Sequence, residues 1–270
     1  MKRRWLGQSL SDAPVNLTGV SLRLCPSHRY ENSANGLLMG AIDDLSFSAA
    51  DFSGTARLFP LPNLVMFPHV LQPLHIFEPR YREMVEEALA GDRLIAMALL
   101  APGWETEYEG RPAVCPVVCL GRIASHQRLD DGRLNMLLAG LRRARLLREL
   151  PPDKLFREAE VEILDDVYPT KASGRRLTLQ RRLVDLFRQQ MPNLKQLHEQ
   201  LDQIMASEVP LGILTDILAF TLKLELRVKE QLLSETDVDR RAETLLTALQ
   251  SGHASPESPT VKFPPDFSMN

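Results

Sequence analysis

RLFPLPNLVMFPHVLQPLHIFEPRY, residues Arg57 to Tyr81, sets five prolines among large apolar side chains. Proline fixes its own φ, lacks an amide donor and pushes its predecessor toward extended backbone. Pro60, Pro62, Pro68, Pro73 and Pro79 therefore forbid one continuous helix, and the stretch reads as short extended pieces joined by rigid turns. Leu58, Leu61, Val65, Leu74 and Ile76 belong to types that more often fill a core than form a contact surface. Immediately downstream the period changes. Glu78 to Ala90 carries Tyr81, Met84, Val85, Ala88 and Leu89 at helical spacing, and Gly91 stands where a left-handed cap would end the helix.

Farther out, Arg93 to Leu100 reads as an apolar strand. A loop with Pro102, Gly103, Trp104 and Gly110 leads into a strand from Val114 to Gln127, and Asp130, Asp131 and Gly132 supply a hairpin turn. Leu134 to Glu149 is the second arm. Phe156 to Leu164 alternates, with Ala159, Val161 and Ile163 on one side and Glu158, Glu160 and Glu162 on the other. From about Ser173 the spacing is helical again. Leu179, Leu183, Leu186 and Phe187 mark one face, and Leu194, Leu197, Leu201, Ile204 and Met205 the next. Leu211 to Leu222 is apolar almost all round, as in a helix buried among others. Val228 to Leu233 and Val238 to Leu249 complete the set, the last starting near Ser234, Thr236 or Asp237. Such stripes at this spacing are first of all bundle packing. Residues 1–54, rich in Ser, Asn, Ala and Gly, are expected to be a disordered leader, and 251–270, with four prolines, a flexible tail.

The segment LFPLPNLVMFPHVLQPLHIFEPRYREMVEEAL resembles the opening of the Lon protease N-terminal domain: a Pro-Leu strand, a Val-rich turn ending in Phe-Pro, a second Pro-Leu strand and a helix. VCLGRIASHQRLDDGRLNMLLAGLRRARLLREL is similar to that family's next strand, hairpin and Gly-x-x-Arg element, here Gly140 to Arg143, and LFREAEVEILDD to its closing strand. The resemblance runs from about Arg57 to about Gln250. It implies an α+β fold, with a β-rich PUA-like pseudo-barrel lobe over 57–166 followed by an α-helical bundle lobe over 173–250. It also implies the substrate-binding part of such a protease without the ATPase and serine-lysine peptidase modules, hence no enzyme activity.

Composition agrees with that frame and narrows it. The chain has 270 residues, 44% of them hydrophobic and 25% charged, enough for a sizeable core. A formal charge of -3 offers no general field for a polyanion, so nucleic acid would need a local basic patch. Met1-Lys2-Arg3-Arg4 is followed by Gly7, Gln8, Ser9, Ser11 and Asp12, which break any export-signal core. No run approaches the roughly 18 to 20 apolar residues of a membrane helix. Cys115 and Cys119 lie in one strand-like run, where four extended residues separate their α-carbons by roughly 13 Å, too far for a disulfide or local chelate. They read as small core hydrophobes in a reducing compartment. With no export signal and no membrane span read, the protein is expected in the cytoplasm.

Motifs for chemistry are missing. The sequence holds no phosphate-cradling G-x-x-x-x-G-K-[ST] run, no G-x-S-x-G elbow and no H-E-x-x-H pair, and its six histidines are scattered. We expect no catalytic residue, metal or cofactor. The expected job is binding exposed apolar segments of unfolded or tagged polypeptides, as an adaptor to a separate ATP-dependent protease. Met66, Phe67, Phe77, Tyr81 and Trp104 are the candidate contact residues, because methionine and aromatic side chains suit a tolerant surface. The alternative is an RNA-binding regulator, since the Lon N-terminal fold is similar to RNA-binding PUA domains and Arg142, Arg143, Arg145 and Arg148 cluster on one strand. Neighbouring Glu149, Asp153, Glu158, Glu160 and Glu162 and the lack of interleaved aromatics count against it. Arg143 has a third reading, in which it pairs with a carboxylate to hold the barrel together.

Overall fold

A computed structural model describes residues 47–50, 52–106, 110–190, 202, 205 and 209–251. In chain order the elements are β1 (Thr55–Leu61), β2 (Leu71–Ile76), α1 (Pro79–Ala90), β3 (Leu94–Leu99), β4 (Val117–Arg128), β5 (Leu134–Glu149), β6 (Arg157–Leu164), α2 (Arg176–Gln190), α3 (Leu211–Thr221), α4 (Leu226–Ser234) and α5 (Val238–Gln250). The proline-rich stretch is extended, turn, extended, as its φ constraints demand. Pro79 then opens α1 at its first turn, where the missing amide costs nothing. Gly91 does not supply the left-handed cap. Its φ is -122°, and the positive φ falls on Arg93, whose amide donates to Ala88 O at 2.8 Å.

Strand β5 organises the sheet. Along its first half it pairs with β2, and along its second half with β6, while β4 runs antiparallel beside most of its length. Because β6 also pairs with β1, and β1 with β3 in parallel, the strands β5, β4, β3, β1 and β6 close into a five-stranded ring. Strand β2 hangs on the outside of that ring. Pro73 sits in its middle, tolerable because β2 has β5 as its one neighbour in the sheet, and the Gln72 amide covers the Pro73 carbonyl at 2.8 Å.

The ring interior is filled by residues from all five strands: Ala56, Leu58, Leu94, Ala96, Ala98, Val118, Leu120, Leu141, Ala144, Ala159 and Val161. A larger core, continuous from Phe59 and Met97 through α1 to Leu214, Leu232 and Leu249, joins the outer face of the barrel to the helices. The two lobes therefore share one core. A one-residue bulge at Leu141, between the Leu120–Arg142 and Gly121–Gly140 pairs, reverses the facing of β5. Before it, Leu134, Met136 and Leu138 face the helices; after it Ala144 faces the ring interior, so Arg143 points at the helical lobe.

The turn that ends the Val-rich stretch crosses β5 at Gly140. His69 N donates to Gly140 O and Gly140 N to Val70 O, both at 2.9 Å, and His69 takes a φ of 65° to do so. A β-carbon on Gly140 would stand 2.1 Å from Phe67 O. The helices follow the apolar stripes: Leu179, Leu183 and Phe187 on α2, nearly every position of α3, and Leu245, Leu246 and Leu249 on α5 are buried. Asp237 caps α5, accepting from Asp239 N at 3.0 Å and Arg240 N at 3.1 Å. Of the stripe from Leu194 to Met205, all but Met205 lie outside the described residues, as do residues 1–46, 51 and 252–270 of the expected leader and tail.

Gly140→Ala is expected to destabilise the protein by about 2–4 kcal/mol, because backbone atoms of Phe67 and Pro68 cannot yield as a flexible side chain can. Urea unfolding of the two proteins measures the difference.

Candidate functional site

Four charged side chains meet where the barrel joins the helices. Arg143, 2% exposed, hydrogen-bonds Asp216 of α3 through both terminal nitrogens, Nη1 to Oδ2 at 2.9 Å and Nη2 to Oδ1. Its Nε donates to Leu233 O at 2.9 Å, and Nη1 lies 3.4 Å from Asp166 Oδ1. Arg241 of α5, fully buried, clamps Asp166 with Nη1 to Oδ1 at 2.8 Å and Nη2 to Oδ2 at 2.6 Å. It also donates to Glu235 O at 2.9 Å and to Thr215 Oγ1 at 3.1 Å, and its Nε is 3.5 Å from Asp216 Oδ1. Two cations and two anions thus cancel. Each guanidinium is planar and forked, so it holds a carboxylate through two nitrogens and fixes its angle.

The electrostatics follow from that packing. Burial would raise the Asp166 carboxyl, but the hydrogen bonds and charge of Arg241, with Arg143 behind them, hold it below the ordinary range. Burial acts on Arg143 in the opposite direction and is outweighed by Asp216, so its pKa is raised and it stays a cation. Beside the cluster, Gly212 at the start of α3 passes so close that a β-carbon would stand 2.3 Å from Asp166 Oδ2 and 2.7 Å from the Tyr168 hydroxyl. This is a weld between lobes. It offers no open valence for a substrate, and both arginines are saturated by protein acceptors.

The weld brings an apolar rim to the surface next to it. Val167, which exchanges backbone hydrogen bonds with Thr236 and Val238, is 53% exposed, Tyr168 40% and Leu177 63%. The Arg176 guanidinium lies 5.2 Å over the Tyr168 ring while its Nε donates to Asp239 at 2.8 Å. These residues were not among those singled out from the sequence. Val167 and Tyr168 sit between a strand and a helix, where an exposed apolar pair has no periodicity to betray it.

Of the candidate contact residues, Met66, Phe67 and Tyr81 are core, at 1%, 0% and 6% exposure. That corrects the expectation of a solvent-facing rim. The Phe67 to His69 turn folds back over Gly140, and Tyr81 packs on Phe59 with ring centroids 4.4 Å apart. Phe77 and Trp104 are half-buried, Phe77 stacked on His75 at 6.1 Å. The structure does not gather the five into one patch. The basic patch is corrected as well. Arg143 is inside the weld, half-buried Arg142 stacks its guanidinium 5.9 Å over Phe47, and exposed Arg145 and Arg148 pair with Glu162 and Glu160 across the β5–β6 ladder. Burial pushes the Cys119 thiol well up, so it is an inert core residue, and Cys115 moves the same way. Among the described residues no cluster of His, Cys, Asp or Glu is placed to hold a metal ion, and no helix is long and apolar enough to cross a membrane.

The family model of the ATP-dependent protease La (Lon) substrate-binding domain matches residues 55–251, which is the barrel and the helices together. The chain belongs to this family. Lon protease of Heliobacterium modesticaldum is 28% identical over 193 residues, covering 71% of this chain and 23% of the relative; Lon protease of Xanthomonas oryzae pv. oryzae is 27% identical over 191 residues, covering 70% and 22%. The chain therefore spans under a quarter of the length of these relatives, and the match covers the substrate-binding part. Among solved structures, the Lon N-terminal domain protein from Xanthomonas campestris is similar at 25% identity and a TM-score of 0.50, covering 72% of this chain and 97% of that one. The N-terminal domain of Mycobacterium avium complex Lon protease, at 16% identity, covers 73% and 98% with a TM-score of 0.58 and supports the fold.

Asp216→Ala leaves Arg143 buried without its principal counter-charge and is expected to cost about 3–5 kcal/mol, whereas Arg145→Ala, at an exposed pair, should cost at most about 1 kcal/mol. Chemical denaturation of both variants separates the weld from the surface ladder. Asp166 gives a pH test. Its folded pKa lies below its unfolded value near ~3.9, so its stabilisation is complete above that value and is lost as pH falls through the folded pKa. The stability gap between the natural protein and Asp166→Asn should therefore be widest near neutrality and shrink steadily below about pH 4. A gap that does not depend on pH would contradict the assignment.

Proposed function

We propose that this protein is a non-catalytic binder of exposed apolar segments of unfolded or tagged polypeptides, and that it acts as an adaptor presenting them to a separate ATP-dependent protease. The observation that supports the reading is that its barrel and helices, residues 55–251, match a domain defined by substrate binding. Exposed Val167, Tyr168 and Leu177, with half-buried Phe77 and Trp104, supply apolar area of the kind such a role uses. Met66, Phe67 and Tyr81 are buried and are not part of that proposed surface. Among the described residues Cys115 and Cys119 are free and buried, which fits work in a reducing compartment such as the cytoplasm.

The RNA-binding alternative has less to rest on. Of the basic run, Arg143 is buried in the weld, Arg142 lies over the Phe47 ring, and exposed Arg145 faces Glu162. Binding of a labelled unfolded polypeptide, followed by fluorescence anisotropy with unlabelled RNA as competitor at low and moderate salt, decides between the two. We expect salt-tolerant binding that RNA does not compete. Tyr168→Ala and Trp104→Ala should each weaken it several-fold and Arg145→Glu should leave it unchanged. Displacement by RNA, or loss with salt, would favour the nucleic-acid reading.

A further inference from the structure

The closed barrel is stoppered from outside its own strands. Five of the eleven residues that fill the ring are alanines, Ala56, Ala96, Ala98, Ala144 and Ala159, so the strands themselves bring little bulk to the interior. Further bulk against this interior comes from just ahead of β1. Phe47 and Phe52 pack against this interior, together with Val114, Leu146 and Ile163 at its margins. Their rings are 5.9 Å apart and tilted, and the Arg142 guanidinium lies 5.9 Å over Phe47. Both phenylalanines are only partly buried, and both precede residue 55, where the family match begins.

The manner of attachment is as telling as the location. Phe47 and Phe52 belong to no strand, so side chains hold them and ladder hydrogen bonds do not. The ladder starts immediately after them, where Gly54 O accepts from Val161 N at 2.8 Å. Gly54 has a φ of 82°, which glycine adopts without strain, and a β-carbon there would meet nothing within 4 Å. Among the described residues, Phe47 and Phe52 are held by the barrel interior, by each other and by Arg142, and releasing these side chains leaves the strand ladders paired.

We propose that Phe47 and Phe52 form an intramolecular strap that occupies an apolar site at the barrel mouth, and that a bulky aromatic or aliphatic side chain of a bound polypeptide replaces them there. The proposal rests on the polypeptide-binding reading and adds regulation to it. When a binding-competent form is a fraction of the population, the apparent dissociation constant rises by the inverse of that fraction, so the strap sets a threshold that weak ligands do not pass.

The test uses the full chain and the same labelled unfolded polypeptide. The double variant Phe47→Ala with Phe52→Ala should bind it at least threefold more tightly than the natural protein. Arg142→Ala, which removes the cation above Phe47 and leaves the ring interior intact, should shift affinity the same way by less. A synthetic peptide of residues 47–54 should compete with the polypeptide for the double variant, and its Phe→Ala counterpart should not. Affinity that is unchanged or weaker in Arg142→Ala and in a double variant with native circular dichroism overturns the strap and leaves polypeptide binding standing. Absence of binding by the natural protein and both variants overturns the strap and the binding reading together.

Discussion

The ion pair between Arg143 and Asp216 is the constraint on which the arrangement of the two lobes depends. A carboxylate in the middle of a buried helix is admissible when a counter-charge reaches it, and the counter-charge here comes from a barrel strand 73 residues away in sequence. Asp166 and Arg241 complete a neutral quartet, so each helix that contributes to it is held at a defined distance from β5. Apolar packing alone would let α3 slide over the barrel face. Paired charges with forked geometry do not, because a small displacement strands a charge in a poor medium.

The same strand explains why the quartet forms at all. β5 pairs with β2, β4 and β6, and the bulge at Leu141 changes which of its residues face the helices. Without the extra residue Arg142 would face Asp216 and Arg143 the crowded ring interior. Gly140, one position before the bulge, lets the Phe67 to His69 turn lie directly against the strand backbone. Turn, bulge and arginine are thus three consecutive features of one short piece of β5, and together they set the height of the barrel relative to the helical lobe.

The proposed binding surface is made of exposed side chains, and the weld is closed to it. The four charged groups of the weld cancel one another, and burial holds the Cys115 and Cys119 thiols protonated. Exposed apolar side chains include Val167, Tyr168 and Leu177 beside the weld, and Leu147, Leu155 and Leu226 elsewhere. A surface of this kind discriminates by shape and hydrophobicity and tolerates many sequences. That tolerance suits a domain whose relatives belong to proteases that handle substrates.

Much of the fold was legible in the chain itself. Prolines at 60, 62, 68 and 73 keep that stretch in extended pieces and turns, the alternation around Ala159 and Val161 makes a barrel strand, and the stripes at Leu179, Leu183 and Phe187 make a helix, because these are local rules of φ and period. The family resemblance, spread over several ordered motifs, was legible for the same reason. Site residues were not, since exposure is a property of the assembled chain. Methionine and phenylalanine at 66 and 67 obey the same composition rule whether they line a rim or plug a core, and closure of the turn over Gly140 put them inside. Arg143 likewise read as one of a basic run until Asp216 met it from a helix far along the chain. Residue type and spacing therefore determined the elements and their order, while tertiary contact decided which charges are spent, which aromatics are buried and which apolar side chains face water.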